Sequence, residues 1–139
     1  MASPVAPEQV PQSPRSPQGW RSKFRVAFRG IKLGIRGQSS FFVHFFFAAL
    51  VVAAAVVLQC ELWQWCVLVG CIGLVLTAEL FNSALEMLFR GLDEETRERA
   101  WPALDIGSGA VLMASITAAV IGAMIFVARL LVLVGLLPG

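Results

Sequence analysis

An all-α membrane protein with an amphipathic surface helix and three transmembrane helices is the fold the sequence predicts, and three observations carry it. The chain of 139 residues is 58% hydrophobic and only 14% charged, with a mean hydropathy of +0.76, whereas soluble domains carry about 25% charged residues. Its apolar residues fall into three runs long enough to cross a ~30 Å hydrocarbon core. Its charge is lopsided: residues 1 to 40 hold Arg15, Arg21, Lys23, Arg25, Arg29, Lys32 and Arg36 against a single acid, Glu8. That block predicts a cytoplasmic N-terminus facing anionic lipid. With no recognition module in the chain, it argues against a nucleic-acid partner.

Residues 1 to 19, rich in Pro, Ser and Gln, predict a disordered tail, and residues 20–139 a single membrane domain. Over residues 20–37, Trp20, Phe24, Phe28, Ile31 and Ile35 share a stripe flanked by five cations, the pattern of a helix lying in the membrane surface. Gly30, Gly34 and Gly37 within it predict a break or a close backbone contact. Gln38, Ser39 and Ser40 form a polar joint. The first span follows at about 41–58, broken only by His44, read as a hydrogen-bonded packing residue, with contact to substrate or metal the sharper alternative. The turn at Gln59, Cys60 and Glu61 lacks Lys and Arg, and Trp63 and Trp65 follow as an interfacial belt. The second span covers about 62–89, with Gly91 as its stop. Asp93 to Arg99 is a mixed-charge loop. Trp101 and Pro102 open the last helix, whose span covers about 103–128, with Asp105 favourable near its N-terminus. Ala114, Ala118 and Gly122 form a small-residue stripe that predicts close helix contact, and Arg129 reaches the outer interface. Cys60, Cys66 and Cys71 are odd in number and lack zinc-site spacing, so they read as packing residues. The polar, Pro-rich start predicts no secretory signal peptide.

No nucleotide, metal or redox fingerprint of soluble enzymes is present. Polar groups instead collect at one membrane depth. Glu79, Asn82, Ser83 and Glu86 recur at i, i+3, i+4 and i+7, hence on one face of the second span, and ionisable groups at such depth mark functional sites. Two carboxylates two turns apart can divide labour, the deeper Glu79 taking a proton and the shallower Glu86 holding a cation.

The segment Glu79-Leu80-Phe81-Asn82-Ser83-Ala84-Leu85-Glu86 resembles the signature of the small prokaryotic diacylglycerol kinase and undecaprenol kinase family. Asp105-Ile106-Gly107-Ser108-Gly109-Ala110-Val111-Leu112 resembles its second conserved block, and Ala27 to Lys32 its surface helix. The resemblance implies a homotrimer in the bacterial inner membrane, with active sites shared between subunits, that transfers the γ-phosphate of Mg²⁺-bound ATP to a lipid hydroxyl, of diacylglycerol or undecaprenol, at the cytoplasmic interface. It implies that Glu79 is the general base, supported by Asn82. Glu86 and Gln38 would hold magnesium, and together with Asp105 they would bind ATP. Ser83 and Ser108 would stand with Glu79 on the lipid side. Three positions depart from the pattern: Gln38 stands where a metal-binding Glu is expected, Leu104 where a Lys is, and Arg90 where an Asp is. A catalytically weakened or inactive relative, acting as a lipid- or nucleotide-binding or regulatory trimer, is therefore the alternative. A proton-relay or transport subunit is argued against by the near absence of polar residues between Val43 and Leu58 and between Cys66 and Leu76.

Overall fold

The structure, a computed structural model, describes residues 19–36 and 40–138. The N-terminal tail, apart from Gly19, and the joint at Gln38 and Ser39 lie outside the described residues. Four helices follow in order: α1 (Trp20–Arg36), α2 (Ser40–Val57), α3 (Leu62–Arg90) and α4 (Glu94–Leu133). The last three are long and apolar enough to cross a membrane.

Helix α1 is continuous through Gly30 and Gly34 and buries no residue of its own. Trp20, Phe24 and Phe28 stand exposed along one side, which suits a helix lying on lipid. Gly34 is where it meets α3, since a Cβ there would come within 2.7 Å of the Leu80 side chain. The close-contact reading of this glycine therefore holds, and the helix does not break.

Both turns between spanning helices are fastened by an arginine. Between α2 and α3, Gln59 adopts a left-handed φ of 50°. Arg129 of α4 reaches back to this turn, donating from Nη2 to the Gln59 carbonyl at 2.6 Å, from Nε to the Leu58 carbonyl at 3.4 Å and from Nη1 to Glu61 Oε1 at 3.1 Å. These bonds satisfy carbonyls that the end of α2 would leave open. Between α3 and α4, Arg97 Nη2 donates to the carbonyls of Arg90 and Leu92, and α3 ends at Gly91, where the N–H groups of Gly91 and Leu92 donate to the Leu88 and Phe89 carbonyls.

The last helix differs from the reading of residues 93–99 as a loop opening onto a helix at Trp101. It begins at Glu94, capped by Asp93, whose carboxylate accepts from the Thr96 N–H at 3.0 Å and the Thr96 hydroxyl at 2.8 Å. Glu95 and Arg99 then pair across one turn at 2.7 Å. Alternating charge here marks a solvated helical face. Pro102 thus sits inside the helix, where it removes one ladder bond; Glu98, whose carbonyl that bond would use, is exposed and open to water. At 40 residues α4 is about 60 Å long, twice a hydrocarbon core, so its charged first turns project beyond the apolar part. It runs past Ala128 to Leu133 and ends in a Schellman motif, with Gly135 at φ 75° and the N–H groups of Gly135 and Leu136 bonded to the Val132 and Leu131 carbonyls.

Packing is concentrated between α3 and α4. Ala114 and Gly122 of the small-residue stripe are buried, Gly122 lying against Leu68 of α3. Ala118, between them, is only half-buried. At the Arg129 end, Ala55, Leu68 and Ile125 form a small core joined by Val51, Trp65 and Phe126. The polar residues gather at the opposite end of α2 and the second half of α3.

Candidate functional site

The face of α3 that carries Glu79, Asn82, Ser83 and Glu86 is the part of the molecule where polar groups are drawn inside. Glu79, Asn82 and Ser83 are buried, with Glu79 only 3% exposed, and a carboxylate so placed needs partners. Helix α2 supplies them from its first two turns: the Ser40 hydroxyl donates to Glu79 Oε1, and His44 Nε2 lies 3.7 Å from Glu79 Oε2. Ser40 and His44 are four residues apart and so share a helix face. Phe41, next to Ser40 in sequence, is 2% exposed, with its ring 6.2 Å from that of Phe45.

One turn further along α3, Asn82 Nδ2 donates to Glu86 Oε1 at 3.0 Å, while Asn82 Oδ1 is buried and finds no hydrogen-bond partner among the described residues. Gly107 of α4 makes room for that amide: a Cβ at 107 would lie 2.6 Å from Asn82 Oδ1 and 3.0 Å from the Leu85 side chain. Glu86 is half-buried, and its Oε2 faces Arg90 Nη2 at 3.5 Å. The seven helical steps from Glu79 to Glu86 span about 10 Å along the helix, so a buried carboxylate and a more accessible one stand at two depths with an amide between them.

Other predicted residues are placed elsewhere. Ser83 is buried, its hydroxyl without a hydrogen-bond partner among the described residues, and it lines a groove between α1 and α3 that also includes Gly34 and Leu80. Asp105 and Ser108 are exposed on α4, and within one chain they do not join Glu79 and Asn82; with Gly107 facing Asn82, they lie roughly 200° and 100° round the helix from it. Leu104 is half-buried. Gln38 lies outside the described residues. Reading the sequence missed Ser40 and His44 as the partners of Glu79; the available signal was that they are the polar side chains of α2, one turn apart.

Glu86 is the side chain suited to a divalent cation. Magnesium is commonly held by one or two carboxylates, the remaining shell being substrate phosphate and water, and Glu86 combines a carboxylate with partial exposure. No group of three or more His, Cys, Asp or Glu side chains that could hold an ion gathers among the described residues.

Comparison with known proteins agrees with the resemblance of the two motifs. The sequence model of prokaryotic diacylglycerol kinase matches residues 25–126, a range that holds α3 entirely and both motif blocks. A diacylglycerol kinase of Synechocystis sp. is 34% identical over 109 residues, which are 78% of this chain and 62% of the relative, so the chain spans less than two thirds of that protein's length. No solved structure matches the chain. The all-helical fold, its three apolar helices and the span of the family match together establish a multi-pass membrane protein, and the chain belongs to the prokaryotic diacylglycerol kinase family.

Proposed function

We propose that the protein is a lipid kinase that transfers the γ-phosphate of ATP to the hydroxyl of a membrane lipid, diacylglycerol or a polyprenol, at the cytoplasmic face of the bacterial inner membrane. The observation that carries the reading is the pair Glu79 and Glu86: one carboxylate almost wholly buried and oriented by Ser40, the other half-buried two turns nearer the end of α3 and held by Asn82. Glu79 is the base. One of its oxygens accepts the Ser40 hydrogen bond, which leaves Oε2, on the His44 side, to take the acceptor's proton as the lipid oxygen bonds to phosphorus and ADP departs. Asn82 holds Glu86 in place through its amide N–H, and its carbonyl oxygen is buried against Gly107.

Glu86, with Gln38 from the joint, is the side chain that would bind magnesium; magnesium bound with the nucleotide bridges and neutralises phosphate oxygens. Asp105 and Ser108, exposed on α4, are available to a neighbouring copy, which supports a homotrimer with sites shared between subunits. In this topology the N-terminus and the Asp93 turn are cytoplasmic, and Arg129 alone among the cations of the chain lies at the outer side.

A second reading is favoured by one contact. Arg90 stands on Glu86 at 3.5 Å, so the carboxylate proposed to hold the cation already has a counter-charge, as in a weakened or non-catalytic relative that binds lipid or nucleotide. Labelled ATP offered with each lipid to the detergent-purified chain separates the two. Glu79→Gln keeps the shape but cannot accept a proton, and is expected to cost about 10²–10⁴ in rate. Gln38→Glu with Leu104→Lys is expected to raise turnover by returning charge around the phosphates. Equal background turnover in the natural chain, Glu79→Gln and the double variant sinks the kinase reading.

A further inference from the structure

The last residue of α3 carries a charge that the proposed chemistry does not use. Arg90 stands four residues after Glu86, hence on the same helix face, and its Nη2 lies 3.5 Å from Glu86 Oε2. Charge-assisted bonds between a guanidinium and a carboxylate close to about 2.7–2.9 Å, so this pair is loose. The Arg90 side chain is 69% exposed, and an exposed pair one turn apart holds its partner weakly. Its backbone, by contrast, is fixed: the Arg90 carbonyl accepts from Arg97 Nη2 at 3.4 Å, and the ring of the preceding Phe89 packs edge-on against Trp101 of α4, centroids 5.3 Å apart. A solvated guanidinium thus stands on an anchored stem within reach of one carboxylate oxygen. The neighbouring arginines are committed elsewhere. Arg97 donates to the turn carbonyls and lies over the Phe89 ring at 5.5 Å, and Arg99 pairs with Glu95 at 2.7 Å.

We propose that Arg90 is a displaceable counter-ion for Glu86 and, once displaced, a phosphate-contact residue for the nucleotide. The proposal rests on the lipid-kinase reading for the place of the nucleotide at Glu86. Of the side chains that reading gives to the nucleotide, Glu86 and Asp105 are acids and Gln38 is neutral, so none of them offers phosphate a positive charge. Phosphoryl transfer depends on such charge, and Arg90 is the cation already in contact with the site. In the empty chain it neutralises Glu86. A guanidinium and a divalent cation on one carboxylate repel each other, so Arg90 leaves Glu86 when a cation is bound there. Its planar fork then matches phosphate oxygens better than it matches one carboxylate oxygen at 3.5 Å. One contact therefore has opposite consequences for two ligands: Arg90 competes with a divalent cation that arrives alone and assists one that arrives with phosphate.

The test measures equilibrium binding to the full chain in detergent. Mn²⁺, which like Mg²⁺ takes oxygen ligands in octahedral geometry, is followed by electron paramagnetic resonance, and the non-hydrolysable β,γ-methylene analogue of ATP by calorimetry in saturating Mn²⁺. Arg90→Gln is expected to tighten the binding of Mn²⁺ alone about twofold, the worth of an exposed helical pair. The same variant should weaken the binding of the analogue about tenfold, the loss of a charged hydrogen bond. Arg90→Lys keeps the charge but not the fork, so Mn²⁺ alone should bind it as it binds the natural chain, while the analogue loses part of the tenfold; it serves if Arg90→Gln loses its helical circular dichroism. Glu86→Gln should abolish the binding of Mn²⁺ alone. An analogue affinity unchanged in Arg90→Gln overturns the proposal, as does one that rises, which would make Arg90 only a block on Glu86. So does an affinity for Mn²⁺ alone that stays the same or falls in Arg90→Gln, or a natural chain that binds no analogue. Binding needs no turnover, so opposite shifts without phosphorylated lipid uphold the role of Arg90 and refute the kinase reading, whereas phosphorylated lipid from a chain whose binding is indifferent to Arg90 does the reverse.

Discussion

Replacing Gly107 with Ala should separate stability from activity, because at one contact it leaves stability nearly unchanged while displacing the amide that positions Glu86. A methyl at 107 would lie 2.6 Å from Asn82 Oδ1 and 3.0 Å from Leu85 Cδ1. Ordinary carbon–oxygen contact begins several tenths of an ångström further out, so the amide must retreat. Its hydrogen bond to Glu86, 3.0 Å long, then stretches toward the limit of a useful bond. A bond to a charged group contributes about 1.5–3 kcal/mol, and because Glu86 is half-buried and reaches water, about half of that is recovered. Against this, Ala in place of a helical Gly gains about 1 kcal/mol. The net change in stability is within about 1 kcal/mol, yet Asn82 and Glu86 are no longer aligned, and a displacement near 1 Å in a catalytic array costs on the order of 10²-fold in rate. Thermal unfolding in detergent and phosphate transfer from labelled ATP measure the two effects. Gly70→Ala, where a Cβ meets nothing within 4 Å, is the comparison. Turnover of Gly107→Ala within twofold of the natural chain would refute the reasoning, and so would a parallel loss of activity in Gly70→Ala.

Arg129→Ala should destabilise the protein by about 2–3 kcal/mol, since it frees two carbonyls at the end of α2 while the half-exposed ion pair with Glu61 adds little; Arg129→Lys, with a single point of donation, should recover only part of this in thermal unfolding. Burial, the largest influence, pushes the Cys60 thiol up, with Glu61 adding to the rise and Arg129 opposing it; an impermeant thiol reagent should therefore label Cys60 slowly at neutral pH, faster as pH rises, and from the outer side of intact cells. Labelling only in inside-out vesicles would reverse the proposed topology. The Thr96 N–H, followed by the Thr96 hydroxyl, holds the Asp93 carboxyl below its ordinary range; a folded-state value lower than the unfolded one stabilises the cap above the ordinary carboxylate range and ceases to do so as pH falls through the folded value. Protection from amide exchange at Thr96 and Arg97, taken relative to the intrinsic rate at each pH, should fall on such acidification in the natural chain, and Asp93→Asn should remove that pH dependence.

Helix periodicity made the α3 face legible because Glu79, Asn82, Ser83 and Glu86 lie within one element, and three of them are buried as polar residues in an apolar helix require. The three spans were legible for the same reason, apolar length being a property of the local sequence. The beginning of α4 was not. Asp93 to Arg99 has the composition of a loop, and only the Asp93 cap and the Glu95–Arg99 pair turn it into a solvated helix. Local charge density does not distinguish these two states, whereas the positions of cap and pair do. The partners of Glu79 were harder still, because Ser40 and His44 are 39 and 35 residues away and a lone histidine in a greasy helix gives no direction.

Arg129 shows the same limit at the other end of the molecule: its sequence context predicts a cation at the interface, but its carbonyl partners lie some 70 residues earlier. A groove of about 520 Å³ between α2, α3 and α4 depends on both kinds of information. Its small α4 residues were visible as a packing stripe, and two of that stripe, Ala114 and Gly122, are buried, Gly122 against Leu68 of α3. Whether the space beside Ala118 and Ala119 is closed or open is decided by how far α2 stands off. That separation is held at one end by Ser40, His44 and Glu79 and at the other by the core around Leu68 and the Arg129 clamp. A substitution at Glu79 or Arg129, neither of which lines the groove, should therefore alter its width.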